Sequence, residues 1–136
     1  MKSRLFRTAT IPMSLNILLK GQLQFLNNHY DVTAISGNDN FLSELKEREG
    51  MKIFDIEMQR KIAPYKVLKS LWRLYRYFRK ETPLIVHSIT PKAGLLTMIA
   101  GKMAGVPIRM HTFTGLIFPS STGLMQKLLI NMDRLL

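Results

Sequence analysis

The side chains of this chain that could take part in chemistry lie in two polar stretches of its second half. Each stretch begins at the end of a short apolar run, at residues 84–87 and 108–111, and combines histidine and threonine with lysine or glycine. Threonine and histidine can hydrogen-bond a hydroxyl group, and a lysine at the start of a helix can contact a phosphate or a carboxylate. The candidate ligand-binding residues in these stretches are His87, Thr90, Lys92, His111, Thr114 and Gly115.

Three of these residues also have a structural interpretation. His87 fits a partly buried, hydrogen-bonded histidine at the end of a strand, His111 fits a core residue of a strand, and Lys92 fits an ordinary solvated position. No nucleophile–base pair is recognisable, so no catalytic residue is assigned. Three histidines without cysteine do not form a metal cluster, and we expect neither a metal nor a cofactor.

The elements predicted around the polar stretches follow the order strand, loop, helix, strand, loop. Residues 84–87 predict a strand, residues 88–94 a loop, residues 95–104 a helix that Gly105 ends, and residues 108–111 a second strand. This order describes a βαβ unit and implies a parallel sheet. Ligands of such sheets bind beyond the carboxyl ends of the strands, where both polar stretches would lie.

The first half of the chain continues the alternation of strands and helices. It predicts strands at residues 5–11, 30–36 and 51–58, the last at an edge of the sheet, with helices at residues 15–27 and before Gly50. Ser14 follows the first strand and is predicted to cap the first helix and to be a further ligand-binding residue. We predict an α/β, Rossmann-like domain with a parallel sheet in strand order 3-2-1-4-5 and helices on both faces.

Residues 64–81 predict an amphipathic helix with one strongly basic side. Eight basic residues and no acidic residue occur between positions 60 and 80, and Trp72 lies between the apolar and the basic stripes. A solvated outer face of the domain explains this pattern. Attachment to an anionic membrane surface also explains it, because each nearby basic residue adds about 1 kcal/mol. The residues assigned to membrane contact are Lys66, Lys69, Arg73, Arg76 and Lys80.

The composition limits the classes of protein and of partner. A chain of 136 residues is one domain or part of one, and its 46% of hydrophobic residues is enough for a packed core. The net charge of +11 favours phosphate-bearing or anionic partners. The sequence contains no cysteine, no secretory signal and no apolar run long enough to span a membrane.

Two other functions remain open on the residues alone. A dinucleotide-dependent enzyme would share the topology, but the turn after the first strand has no glycine before Gly21. A non-enzymatic adaptor for membranes or nucleic acid would rest on the basic helix alone, and no nucleic-acid-binding module accompanies that helix. We therefore expect no nucleic-acid partner.

Three motifs in this order resemble a known family of enzymes. Residues 86–94 (Val-His-Ser-Ile-Thr-Pro-Lys-Ala-Gly), 104–107 (Ala-Gly-Val-Pro) and 111–116 (His-Thr-Phe-Thr-Gly-Leu) together look like the amino-terminal half of a family 4 glycosyltransferase. The most similar members are bacterial enzymes that build capsule or O-antigen sugars on a lipid carrier. Thr114 stands where many members carry a histidine that contacts the donor sugar, and the first loop lacks their glycine pair.

The resemblance implies an architecture and a set of partners. Family members have the GT-B fold, in which two Rossmann-like domains face each other across a cleft. Residues 1–136 would be an incomplete amino-terminal domain, inactive alone, and the absent carboxy-terminal domain would bind most of the nucleotide-sugar donor. The expected acceptor is a lipid-linked sugar. The expected location is the cytoplasm, peripheral on the inner face of the cell membrane.

Overall fold

Five parallel strands form one sheet in the order β3-β2-β1-β4-β5, which confirms the predicted strand order. The structure, a computed structural model, describes residues 1–37, 40–58, 64–114 and 122–135. Each neighbouring pair of strands is parallel. The strands are β1 (Arg4–Thr8), β2 (Asp31–Ser36), β3 (Lys52–Asp55), β4 (Ile85–Ser88) and β5 (Ile108–His111).

Helices cover both faces of the sheet, as predicted. They are α1 (Pro12–Leu18), α2 (Gln22–His29), α3 (Asn40–Glu49), α4 (Pro64–Glu81), α5 (Pro91–Ala104) and α6 (Gly123–Leu135). Successive residues of β1 serve opposite faces: Leu5 belongs to a core with residues of α1, α2 and α3, while Phe6 belongs to a core with residues of α4 and α5. Arg7 lies two residues after Leu5 in the strand, so its side chain is on the same face of the sheet, toward α1 and α2.

The predicted helix at residues 15–27 is wrong, because the chain forms two helices there. Gly21 adopts a left-handed φ of 75° and is the N-cap of α2. The buried carboxylate of Glu49, at the end of α3, accepts hydrogen bonds from the backbone N–H of Gly21 at 3.3 Å and of Gln24 at 2.8 Å. A side chain distant in sequence thus caps α2, and the local pattern of leucines contains no sign of it.

The first helix also begins earlier than predicted, because β1 ends at Thr8 rather than at residue 11. Ile11 is the N-cap of α1, and Pro12 occupies the first turn, where its missing N–H group removes no helical hydrogen bond. The prediction that Ser14 caps the helix is wrong, since Ser14 lies inside α1.

The predicted loop at residues 88–94 ends sooner than expected, because α5 starts at Pro91. Thr90 is its N-cap residue, but the Thr90 side chain makes no cap hydrogen bond. Lys92 therefore lies in the first turn of α5. The bounds of α4, residues 64–81, agree with the prediction, and Leu74 and Phe78 of this helix are buried. Among the described residues, no helix combines the length and the apolar character that crossing a membrane requires.

Candidate functional site

The register of the sheet brings the ends of β1, β4 and β5 to one edge. Thr8 pairs with Ser88, and Ser88 pairs with His111, so the three strands end at the same level. The residues that follow each strand, including Thr10, Thr90 and Thr112, share this carboxyl edge. The prediction that both polar stretches meet there is confirmed by the topology.

A buried arginine joins His87 at this edge. Arg7, which pairs with His87 in the β1–β4 register, is only 4% exposed. Its Nη1 donates a hydrogen bond to His87 Nδ1. Because Nδ1 accepts, the imidazole carries its proton on Nε2, and this N–H donates to Thr112 Oγ1 at 2.7 Å. The three side chains form a relay in which each donates to the next.

The protonation states of Arg7 and His87 follow from burial and charge. Burial, then the charge of Arg7, and then the charge of His111 lower the pKa of His87 to about 4. Burial lowers the pKa of Arg7 to about 10, so the guanidinium remains charged at neutral pH. His87 is therefore neutral, and its one lone pair is already used by Arg7. It can donate a hydrogen bond from Nε2, but it cannot act as a general base there.

His111 pairs with Ser88, the residue after His87, and its side chain lies on the face of the sheet opposite to that of His87. Its Nδ1 is 2.7 Å from the hydroxyl of the buried Ser88, and its ring makes an edge contact with Phe113 at 4.6 Å. The ring fills the space above Gly94 of α5, where an added Cβ would lie 2.6 Å from the imidazole. The two histidines predicted to share a site thus face opposite helical layers, and His111 is packed against α5.

Two further predicted site residues, Thr90 and Thr114, make hydrogen bonds to other loop residues at this edge. Thr90 Oγ1 accepts from the backbone N–H of Thr10 at 2.9 Å and lies 2.8 Å from its hydroxyl, which ties the β1 loop to the β4 loop. Thr114 Oγ1 donates to the carbonyl of Ile89 at 3.2 Å. Gly115 lies outside the described residues.

Lys92 is half-buried in the first turn of α5. Burial lowers the pKa of its ammonium group. Within the described parts of the chain, its Nζ has no hydrogen-bond or ion-pair partner. The absence of a capping side chain on α5 leaves the first-turn N–H groups beside it available to an anion.

A cavity of about 280 Å³ opens beside the Arg7–His87 pair. Of the predicted site residues, His87 and Thr114 line it. Arg7, Gln22 and Thr112 also line it and were not predicted. A charged residue inside the central strand was the sequence signal for Arg7, because interior strands of parallel sheets are usually continuous apolar runs. The remaining lining residues are Leu18, Leu19 and Ile89.

A second cavity lies at the other edge of the sheet. This cavity of about 510 Å³ is lined by residues at the amino ends of β1, β4 and β5, on the edge opposite the polar loops. Among the described residues, no three His, Asp or Glu side chains come close enough together to bind a metal ion.

The exposed side of α4 carries apolar as well as basic side chains. Trp72 is 56% exposed, and Tyr65 and Leu68, one or two turns before it, are exposed as well. Arg73 is held toward the sheet, since it donates to the carbonyl of Asp55 at 3.3 Å and lies 5.9 Å from the ring centroid of Phe54. We define the outer face of α4 as Tyr65, Leu68, Lys69, Trp72, Arg76, Arg79 and Lys80. Arg60 and Lys61 lie outside the described residues.

Solved structures share this architecture. A glycosyltransferase from Rickettsia africae aligns over 96% of this chain with a TM-score of 0.69 at 17% identity, covering 34% of that protein. A UDP-N-acetylglucosamine 2-epimerase from Rickettsia bellii aligns over 99% of this chain with the same TM-score, 0.69, at 15% identity, covering 37% of that protein. At these identities the likeness establishes the fold alone, which is the Rossmann-like domain of GT-B proteins.

The family is established by sequence. The model of the family described as "Glycosyl transferase 4-like" matches residues 10–134, so the chain belongs to this family, as the motifs predicted. The capsular polysaccharide biosynthesis glycosyltransferase CapM of Staphylococcus aureus is 35% identical over 133 residues, which are 97% of this chain and 34% of that protein.

A second relative is the UDP-Gal:alpha-D-GlcNAc-diphosphoundecaprenol alpha-1,3-galactosyltransferase of Escherichia coli. It is 34% identical over 95 residues, which are 70% of this chain and 24% of that protein. The chain thus spans about a third or less of the length of these curated relatives.

The packing of His111 over Gly94 gives a prediction with a change of sign. In wild type, Gly94→Ala should lower the free energy of unfolding by about 1–2 kcal/mol, because the new methyl group displaces the imidazole from Ser88. In a His111→Ala background the same substitution should raise it by up to about 1 kcal/mol, the usual advantage of alanine within a helix. Urea unfolding followed by circular dichroism measures both. Equal effects in the two backgrounds would show that His111 does not occupy this space.

Proposed function

We propose that this chain is the acceptor-side domain of a glycosyltransferase that moves a sugar from a nucleotide sugar to a lipid-linked acceptor during synthesis of a bacterial surface polysaccharide. The observation that carries the proposal is the family match over residues 10–134. Its two curated relatives are named for capsular polysaccharide synthesis and for a diphosphoundecaprenol acceptor. The polar carboxyl edge of the sheet agrees with it, since ligands of open α/β sheets bind there.

The donor belongs mainly to a second domain in this proposal. The chain covers 34% of CapM, which leaves room in such a protein for a further Rossmann-like domain. We assign the nucleotide of the donor to that domain, and we expect the 136-residue chain to be inactive alone. Thr114 donates to the carbonyl of Ile89, so its hydroxyl hydrogen is already used, and we assign it no proton-transfer role.

Lys92 is the residue that we assign to the acceptor diphosphate. Its ammonium group has no partner within the described residues, and it lies beside the uncapped first turn of α5. A lysine there opposes the helix dipole, which an anion between the lysine and the N–H groups would compensate. Thr90 and His111 contribute by holding the surrounding loops rather than by direct contact, because the hydrogen bonds of Thr90 with Thr10 and of His111 with Ser88 join protein groups.

The corresponding prediction concerns the kinetics of a full-length enzyme that contains this chain. Lys92→Ala should lower kcat/KM for the lipid-linked acceptor at least tenfold, or about 1.4 kcal/mol, because a partly desolvated phosphate contact is lost. The KM of the nucleotide sugar should change much less. Transfer of radiolabelled sugar to a diphospholipid-linked acceptor, with both substrates varied, measures this.

Lys102→Ala is the matched control, because Lys102 is exposed in the last turn of the same helix. It should leave both kinetic constants within twofold of wild type. Equal losses for donor and acceptor, or no loss for either, would remove Lys92 from the acceptor site. Transfer by the 136-residue chain alone would contradict the assignment of the donor to a second domain.

We also propose that the outer face of α4 attaches the enzyme to the inner face of the cell membrane. Three exposed apolar side chains, Tyr65, Leu68 and Trp72, lie among basic residues, and this combination suits the boundary between headgroups and acyl chains. Within the described residues, Lys69, Arg76 and Lys80 make no ion pair. Membrane attachment would bring the acceptor site to a substrate that stays in the bilayer.

The single tryptophan of the chain reports on this attachment. Vesicles of phosphatidylglycerol should shift the emission of Trp72 to shorter wavelength, and vesicles of phosphatidylcholine should not. Replacing Lys69, Arg76 and Lys80 with glutamine should weaken binding about 100-fold, since three basic residues each contribute about 1 kcal/mol.

A control variant separates the outer face of α4 from overall charge. Replacing the exposed residues Lys20, Lys46 and Lys102 with glutamine removes the same charge elsewhere and should weaken binding much less. If the two triple variants lose affinity equally, net charge alone binds the vesicles. If neither loses affinity, α4 is an ordinary solvated face.

A further inference from the structure

The Arg7 guanidinium is a buried cation without a counter-ion in the described part of the chain. It is 4% exposed, and no carboxylate among the described residues lies within 4.0 Å of it. Its neighbours through Nη1 and Nη2 are the neutral His87 and the neutral amide of Gln22. Keeping a charge away from water is unfavourable unless an opposite charge compensates it. The fold therefore maintains a positive charge that its own described groups do not neutralise.

The free donors of Arg7 lie on one edge of the guanidinium. Arg7 Nε is buried and has no hydrogen-bond partner among the described residues, and Nη2 has only a 3.5 Å contact with Gln22 Oε1. Nε and Nη2 share one side of the planar group, where two parallel N–H bonds fit the two oxygens of a carboxylate. Gln22 is exposed, so its amide can yield that edge to a ligand.

The relay from Arg7 through His87 also ends in a donor. His87 Nε2–H donates to Thr112 Oγ1, which leaves the hydroxyl hydrogen of the exposed Thr112 free to donate in turn. A chain of hydrogen bonds that starts at a cation polarises each member toward donation. The low pKa of His87, about 4, agrees with this direction, because the ring stays neutral beside the arginine. Arg7 and Thr112 therefore both offer hydrogen-bond donors to the cavity.

The remaining walls of the cavity are apolar. Leu18, Leu19 and Ile89 line one part of it, and its volume is about 280 Å³. This is close to the lower limit of the ~300–1,000 Å³ usual for small-molecule sites, so it fits one sugar ring rather than a chain of them. An apolar wall suits the C–H face of a pyranose, while the donors suit its oxygens.

We propose that the cavity beside Arg7 is a subsite for a sugar that bears a carboxylate, a hexuronate unit of the acceptor. The inference rests on the proposed function for the ligand being a sugar. A carboxylate matches the site better than a phosphate, because one guanidinium beside neutral groups balances one negative charge. A phosphate dianion would keep an uncompensated charge in the cavity.

Direct binding to the 136-residue chain tests the subsite without any transfer assay. The readout is the His87 ring resonance in ¹H–¹³C spectra during titration with glucuronate and with galacturonate. At least one uronate should shift this resonance with saturation, and glucose should bind at least tenfold more weakly. Inorganic phosphate is the second arm, and we expect it also to bind at least tenfold more weakly than the uronate.

Two variants locate the binding at Arg7. Gln22→Glu places a carboxylate on the free edge of Arg7 without removing the buried arginine, and it should lower uronate affinity at least tenfold. Arg7→Met should do the same. Lys102→Gln is the control: it removes one positive charge at an exposed position outside the cavity and should bind the uronate as wild type does.

The outcomes distinguish this inference from the proposed function. Absence of uronate binding to wild type, equal binding of glucose, or unchanged binding by Gln22→Glu would overturn the subsite. Tighter binding of phosphate would assign the Arg7 edge to the phosphate of a lipid-linked acceptor and would overturn the uronate assignment. Sugar transfer that depends on Lys92 would survive any of these results, and uronate binding would survive a failure of the transfer assay.

Discussion

The carboxyl edge of this domain depends on one buried positive charge. Arg7 extends from the central strand β1, lies under the turn between α1 and α2, and donates to His87 on the neighbouring strand. This contact fixes the tautomer of His87 and turns the ring toward Thr112, while burial, together with the charge of Arg7, keeps the ring neutral. Without it, the loops after β1, β4 and β5 would still meet, because the sheet register places them together. They would not present an ordered set of donors to the cavity.

Much of the fold could be predicted from the sequence because its signals are local. The helix α4 has an uninterrupted amphipathic pattern, and its bounds were predicted correctly at residues 64–81. Glycine and proline mark the turn between α5 and β5, where Gly105 has a left-handed φ of 74°. Alternating strands and helices imply parallel pairing, from which the confirmed strand order was proposed.

The errors arose where distant residues decide local structure. The break between α1 and α2 depends on the carboxylate of Glu49, 28 residues after Gly21. The separation of His87 and His111 depends on which face of the sheet each residue occupies, and β4 and β5 are too short for their patterns to show it. Arg7 was not predicted as a site residue, since the cavity that it lines is formed by residues distant from it in sequence.

The fold and the family match support different conclusions about function. An epimerase and a glycosyltransferase share this architecture equally well, so the architecture alone does not identify a reaction. The family match identifies the class of protein. The carboxyl edge of the sheet is the place where ligands of open α/β sheets generally bind. The structure also limits the chemistry: His87 is a neutral hydrogen-bond donor, and the described contacts of His111 are with Ser88, Phe113 and α5.

The central claim, that burial and Arg7 hold His87 neutral and that Arg7 places its proton on Nε2, is tested most directly by ¹⁵N NMR titration of the imidazole. The account predicts a pKa of about 4, against an ordinary value of 6.5, and ¹⁵N shifts of the Nε2–H tautomer at neutral pH. The pKa of His87 is lower in the folded protein than its ordinary value in the unfolded chain. The contribution of neutral His87 to the free energy of unfolding is therefore present above about pH 6.5 and is lost as the pH falls toward 4. Titration of His87 near pH 6.5, or a proton on Nδ1, would contradict the account.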